Sequence, residues 1–156
     1  MQRRALVVIS LLGLILSAIS CGSESGGSIE VFHKAKEPAM NTLEKVRPVV
    51  EKYCDSYSIS YYIITDQQNQ EIISRYNLPD THFPFAVVIN GKYSAEVEGK
   101  KIDFVHFPRF MHGIGRHEGN WSLEALEKVL RDNSLLLEEN ILPDIEHDDN
   151  EEECEE

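Results

Sequence analysis

The chain contains no HExxH motif and no two cysteines spaced as CxxC, so the most compact sequence signatures of a zinc site are absent. It has no broad basic face either. Ile29–Pro143 holds 13 Lys and Arg against 17 Asp and Glu. Without an excess of cations nothing releases counterions from phosphates, which argues against nucleic acid as a partner. No internal repeat is present, and no nucleophile–base pair stands out. That ranks enzymatic activity behind binding.

Acid is what the chain has in abundance. Its formal net charge is −12, and the charge is unevenly placed. Asp144–Glu156, DIEHDDNEEECEE, carries nine acids and no Lys or Arg. Like charges at this density repel and bury no apolar face, so the sequence predicts an acidic, disordered tail over 144–156. The remaining 29–143 is only mildly acidic, and a chain of 156 residues suits one domain with one core.

The N-terminus has the organisation of a secretory signal: basic MQRR, apolar ALVVISLLGLIL, then small residues at Ala18 and Ser20. The apolar run is short for a stable membrane span. LSAISCGS resembles the lipobox of bacterial lipoproteins, with Ala18 where leucine is commoner, Ser20, and then Cys21. The resemblance implies a signal peptide over 1–20, cleavage before Cys21, a diacylglycerol on its sulfur and acylation of the new amino group. Such chains anchor stably because each buried methylene contributes roughly 0.8 kcal/mol. Residues 21–28, with GSESGGS at Gly22–Ser28, then read as a flexible tether. Localisation in the bacterial cell envelope follows, on a membrane and facing the periplasm or exterior. Gly22, being non-acidic, leans toward an outer membrane by resemblance to Gram-negative sorting. Two other readings use the same residues: secretion as a soluble protein, and an uncleaved anchor helix.

Along the domain, Ile29–His33 reads as a strand. Met40, Leu43, Val46, Val50 and Tyr53 recur at helical spacing over Pro38–Asp55, with Pro48 inside. Ser58–Asp66 is a β-branched and aromatic strand. Gln68–Asn77 is a short helix with Asn77 as C-cap. Phe83–Asn90, an Asn-Gly-Lys turn and Tyr93–Gly99 read as a β-hairpin. Asn120–Asn133 is a helix capped by Ser122, with Trp121 and Leu126 as a hydrophobic staple. Leu135–Leu142 adds a short helix.

This order predicts an α/β domain with a mixed sheet. Two stretches carry a more specific likeness. VFHKAKEPAMNTLEKVRPVVEKY resembles the active-site strand and kinked first helix of the thioredoxin family, and YNLPDTHFPFAVVINGKY resembles its cis-proline segment. The resemblance implies a thioredoxin-like βαβ–ββα three-layer domain over 29–143, with a mixed central sheet. Pro84 matches the cis-proline. Phe83, Pro84, Lys36 and Pro38 would then border a shallow apolar groove that holds an extended protein or peptide partner through backbone hydrogen bonds.

The family's redox chemistry is not carried over. Aligning Pro38 with the proline between the family's two cysteines puts Lys36 and Ala39 at the thiol positions. Neither forms a mixed disulfide, so exchange by the family mechanism is excluded. Cys54 reads as a small core hydrophobe at the end of the first helix. Cys154 lies among glutamates, which raise a thiol's pKa. Pairing of the two, or of either with another chain, stays open.

Lys100–Trp121, KKIDFVHFPRFMHGIGRHEGNW, is long for a connection. It holds His106, His112 and His117, and imidazoles so grouped suit zinc or copper. His33 or His82 could complete such a site in space, whereas Arg109 and Arg116 oppose a cation. In the competing reading this is a structured loop in which Phe104, Phe107, Phe110, Ile114 and Trp121 pack on the sheet edge. In a third, the basic residues receive the acidic tail or an anion. The sequence thus leads to a membrane-tethered, redox-silent binding or scaffolding module without a required cofactor, with a Zn or Cu protein as the alternative and an unidentified enzyme after that.

Overall fold

The computed structural model describes residues 26–78, 83–109 and 117–141. The signal and lipobox segment with Cys21, His82, His112 and the acidic tail lie outside them. The central strand is β1 (Gly27–His33), which pairs in parallel with β2 (Tyr57–Ile63) and antiparallel with β3 (Phe85–Ile89). The three form a mixed sheet in the order β2-β1-β3. A parallel pair needs a crossover, and α1 (Ala39–Glu51) supplies it, packing over β1.

The apolar spacing seen in α1 is the face that is buried: Ala39, Leu43, Val46 and Val50 are in the core. The helix stops earlier than its periodicity suggests, at Glu51, and Cys54 falls in the turn beyond it. Cys54 is a free, half-buried thiol there, not a core side chain. A short 3-10 turn, Gln67–Asn69, leads into α2 (Gln70–Arg75), which buries Ile73. Asn77 takes a left-handed φ of 51° just past that helix, the conformation in which asparagine ends helices. Phe32 of β1 stacks on Tyr62 and meets Tyr76 edge-on, closing the sheet face toward α2.

The expected hairpin is present at its turn and absent from its strands. Asn90 and Gly91 have φ of 51° and 78°, as a two-residue hairpin turn requires. Ile89 and Lys92 exchange backbone hydrogen bonds across it, at 2.7 and 2.9 Å. Beyond that single bridge the two strands part. β4 (Ser94–Val97) pairs with β5 (Lys100–Asp103) around a second tight turn at Glu98–Gly99, with φ of 55° and 74°. Val105 takes the free edge of β3 by bridging to Ala86. The insertion is therefore in good part sheet. Within it Lys100 and Lys101 are exposed and Ile102 and Asp103 are buried.

Phe104 is where the chain changes partners. Its N–H donates to the Tyr93 carbonyl at 2.7 Å, and its own carbonyl accepts from Val87 N–H at 2.8 Å. α3 (Leu123–Arg131) packs beside α1 and on β4, with Leu126, Val129 and Leu130 buried. Ser122 caps it as expected, its hydroxyl accepting from Ala125 N–H at 3.2 Å. Trp121, just before the cap, stacks on Phe85 and meets Phe104 edge-on. The helix expected at Leu135–Leu142 is not formed within 135–141. A 3-10 turn, Asn133–Leu135, is followed by an extended segment in which Leu136 bridges to Ala95.

Candidate functional site

The carboxyl end of β1 is where the sequence places its chemistry. His33 ends this strand opposite Phe85 of β3. His106 donates its N–H to the Phe85 carbonyl at 2.8 Å on the far side. His33, Phe85 and His106 thus form a row across β1, β3 and the segment bridged to the edge of β3, with β3 between the two histidines. His33 is buried, its Nδ1 is 3.2 Å from the Lys34 carbonyl, and burial holds its pKa below the usual histidine value.

The junction from β1 into α1 is exposed at Lys36, Glu37 and Pro38. Lys34 N–H bonds the Pro84 carbonyl at 3.0 Å, which ties the junction to the start of β3. Among the described residues the cis peptide bond is Glu37–Pro38, not Phe83–Pro84. Any X-Pro bond takes the cis form readily, so a chain with six prolines does not by itself say which one will. Phe83 has no exposed surface, and Pro84 is buried too. They are core residues here and do not border an apolar groove. Six apolar and aromatic neighbours in FPFAVVI leave β3 covered on both faces, and Phe83 is drawn in with it. What opens at this end is a cleft of about 230 Å³ lined by Lys34, Ala35, Lys36 and Thr65. Two lysines line it, yet more of its exposed wall is apolar than polar, and it is smaller than the ~300–1,000 Å³ of most small-molecule sites.

The histidine insertion is built more firmly. Past Phe104 the chain runs beside its own return segment. Phe107 N–H donates to the His117 carbonyl at 2.8 Å, and Gly119 N–H donates to the Phe107 carbonyl at 2.7 Å. Phe107 and Glu118 form a parallel bridge. Arg109 N–H bonds the Trp121 carbonyl at 2.8 Å. The Trp121 indole N–H is shared between the Val105 and His106 carbonyls, each 3.2 Å away. Below this, Asp103 accepts from the Ser94 hydroxyl at 2.6 Å, while its N–H donates to the Asn120 side-chain oxygen at 2.8 Å. Burial pushes the Asp103 carboxyl above its usual pKa. Sequence reasoning missed Asp103 and Asn120 as the clamp at the base of the insertion.

These contacts bring two of the three insertion histidines together. The His106 and His117 rings lie 5.7 Å apart with their planes 17° from parallel. Both residues have left-handed backbones, φ 66° and 73°, uncommon for residues with a Cβ. His106 is only 5% exposed, and among the described residues neither of its ring nitrogens has a hydrogen-bond partner. Leaving such a group unsatisfied costs about 1–3 kcal/mol. Burial, and then the neighbouring His117, hold His106 below the usual histidine pKa, and a neutral imidazole has a lone pair to offer. His117 is exposed and stands on the solvent side. His33 does not join them: no group of three His, Cys, Asp or Glu with metal-site spacing occurs among the described residues. Arg109 has its side chain exposed.

No helix among the described residues is long and apolar enough to cross a membrane. Comparison of the chain with family models, with curated proteins and with solved structures finds no match.

Proposed function

We propose that the chain is a redox-silent, thioredoxin-like module, held on a bacterial envelope membrane by lipid on Cys21 and acting by binding. The observation that carries the domain reading is the central strand. β1 runs parallel to β2 and antiparallel to β3, and passes into α1 through a turn whose two thiol positions are Lys36 and Ala39. A domain so arranged keeps the framework and loses the sulfur chemistry. Cys54 is no replacement, because it lies at the opposite end of α1 from this turn.

A protein or peptide partner then engages polar groups. Ile141 is the one exposed large apolar side chain among the described residues. The surface offered at the carboxyl end of β1 is the Lys34–Lys36–Thr65 cleft.

Two measurements test this reading. In a bacterial host the chain is expected to enter the detergent phase on Triton X-114 partition and to carry an acylated Cys21 by mass spectrometry. Cys21→Ser is expected to stay in the aqueous phase, and equal partition of the two removes the anchor. The purified protein is expected to give no thiol-dependent reduction of insulin. A rate that disappears in Cys54→Ser would show that the domain is not redox-silent.

A further inference from the structure

The insertion is the part of the molecule that the tethered-module reading does not use, and it carries the least satisfied side chain in it. His106 is buried, and among the described residues both its ring nitrogens are unpartnered. Buried polar groups are nearly always hydrogen-bonded, so an exception asks for an explanation. Its backbone is in the left-handed region, and so is that of His117, whose ring lies beside it. Such conformations in residues with a Cβ persist only where the surroundings hold them, and they gather at ligand sites.

We propose that His106 and His117 together bind a divalent transition-metal ion, zinc or copper(II). Imidazole is the ligand both ions favour among nitrogen and oxygen donors. One ion bonded to a nitrogen of each ring at 2.0–2.1 Å holds the two ring centres about 5 to 6 Å apart, and these centres are 5.7 Å apart. The rings are stacked with their planes 17° apart, so sharing an ion requires a ring to turn about its Cβ–Cγ bond, a torsion that is broad. The backbone itself is already fixed. Phe107 is bonded to His117 on one side, and the Trp121 indole is bonded to the His106 carbonyl on the other. Preorganisation of this kind is what a metal site draws from its supporting shell. His106 forms the dry inner wall, and the exposed His117 leaves the ion reachable from solvent. Two protein ligands leave further positions for water or an incoming donor, as sites with an open position do.

The test is isothermal titration of the full chain with Zn²⁺, and electron paramagnetic resonance of the Cu²⁺ form. Mg²⁺ serves as a control for oxygen donors, which the acidic tail supplies in plenty. One equivalent of Zn²⁺ is expected, and nitrogen hyperfine structure from imidazole in the Cu²⁺ spectrum. His117→Ala is at the surface and leaves the core untouched, and it is expected to weaken Zn²⁺ at least tenfold. His106→Phe keeps a planar ring, somewhat larger and without nitrogens, and is expected to do the same while keeping its circular dichroism. Absence of a Zn²⁺ equivalent in the full chain overturns the proposal. So does an equivalent whose affinity neither variant changes, because the ion is then bound elsewhere. If His106→Phe does not fold, the result with His117→Ala decides alone.

Discussion

Gly119 lies so close to Val105 that a Cβ at position 119 would stand 2.4 Å from the Val105 carbonyl oxygen. The return segment is pressed against the outgoing one at a residue between His117 and Asn120, the partner of Asp103.

Gly119→Ala must push that backbone away, since the atom it meets is a carbonyl oxygen and not the end of a flexible side chain. Overpacking of this kind costs about 1–3 kcal/mol. Urea denaturation is expected to show the loss. The variant is also expected to weaken the Zn²⁺ equivalent, because it moves His117 relative to His106. A variant as stable as the parent would mean that the two segments separate freely.

His106→Phe separates a ligand from a structural histidine. In metal-free buffer the substitution removes two buried nitrogens without partners, a group whose desolvation costs about 1–3 kcal/mol. The urea midpoint is therefore expected to hold or rise. A fall of more than about 1 kcal/mol would mean that the imidazole makes hydrogen bonds that stabilise the fold.

Acidification acts on the same residue. His106 and His33 are both held below the ordinary histidine value, chiefly by burial. The unfolded chain takes up these protons near pH ~6.5 and the folded chain only at lower pH. The unfolded state therefore binds more protons between the two values, and stability falls as pH drops below about 6.5. Denaturation at about pH 7.5 and about pH 5.5 is expected to show this fall, smaller in His106→Phe because only His33 remains to contribute.

Asp103 works in the opposite direction. Burial raises its carboxyl, so the folded chain takes up the proton first and gains stability as pH falls toward its ordinary value. Asp103→Asn is expected to lose that gain, which lies in the acid range below the histidine window. A denaturation series from about pH 6 to about pH 4 measures it, and equal slopes for parent and variant would refute it.

Tyr57 joins β2 to the end of α3. Its hydroxyl donates to the Leu130 carbonyl at 3.1 Å and accepts from the Asn133 side chain. Tyr57→Phe removes both and is expected to cost about 1 kcal/mol, read from the thermal or urea midpoint.

Where the pattern was regular, the sequence was readable. The helical recurrence of Leu43, Val46 and Val50 and the cap at Ser122 both describe contacts between near neighbours in the chain. The turn at Asn90–Gly91 was readable for the same reason. What followed it was not, because the choice of β3 to pair with Val105 in place of β4 depends on a segment more than a dozen residues away. Phe83 shows a similar limit: its place before Pro84 says nothing about whether it faces solvent, and the burial of β3 decides that. The insertion histidines could be seen as a group, but the approach of His106 to His117 rests on Asp103, Asn120 and Gly119 lying against the strand beneath. No spacing rule encodes that arrangement.

The crossing at Phe104 has a mechanical consequence. One peptide unit is latched to the β4 side through its hydrogen and the next to the β3 side through its oxygen, so the small hairpin is no independent flap. Peeling it from the body of the protein would unzip the outer edge of the main sheet in the same movement. The amides of Val87 and His106, on one side of the latch, and of Phe104, on the other, should then surrender their protection to deuterium together, as a single cooperative unit.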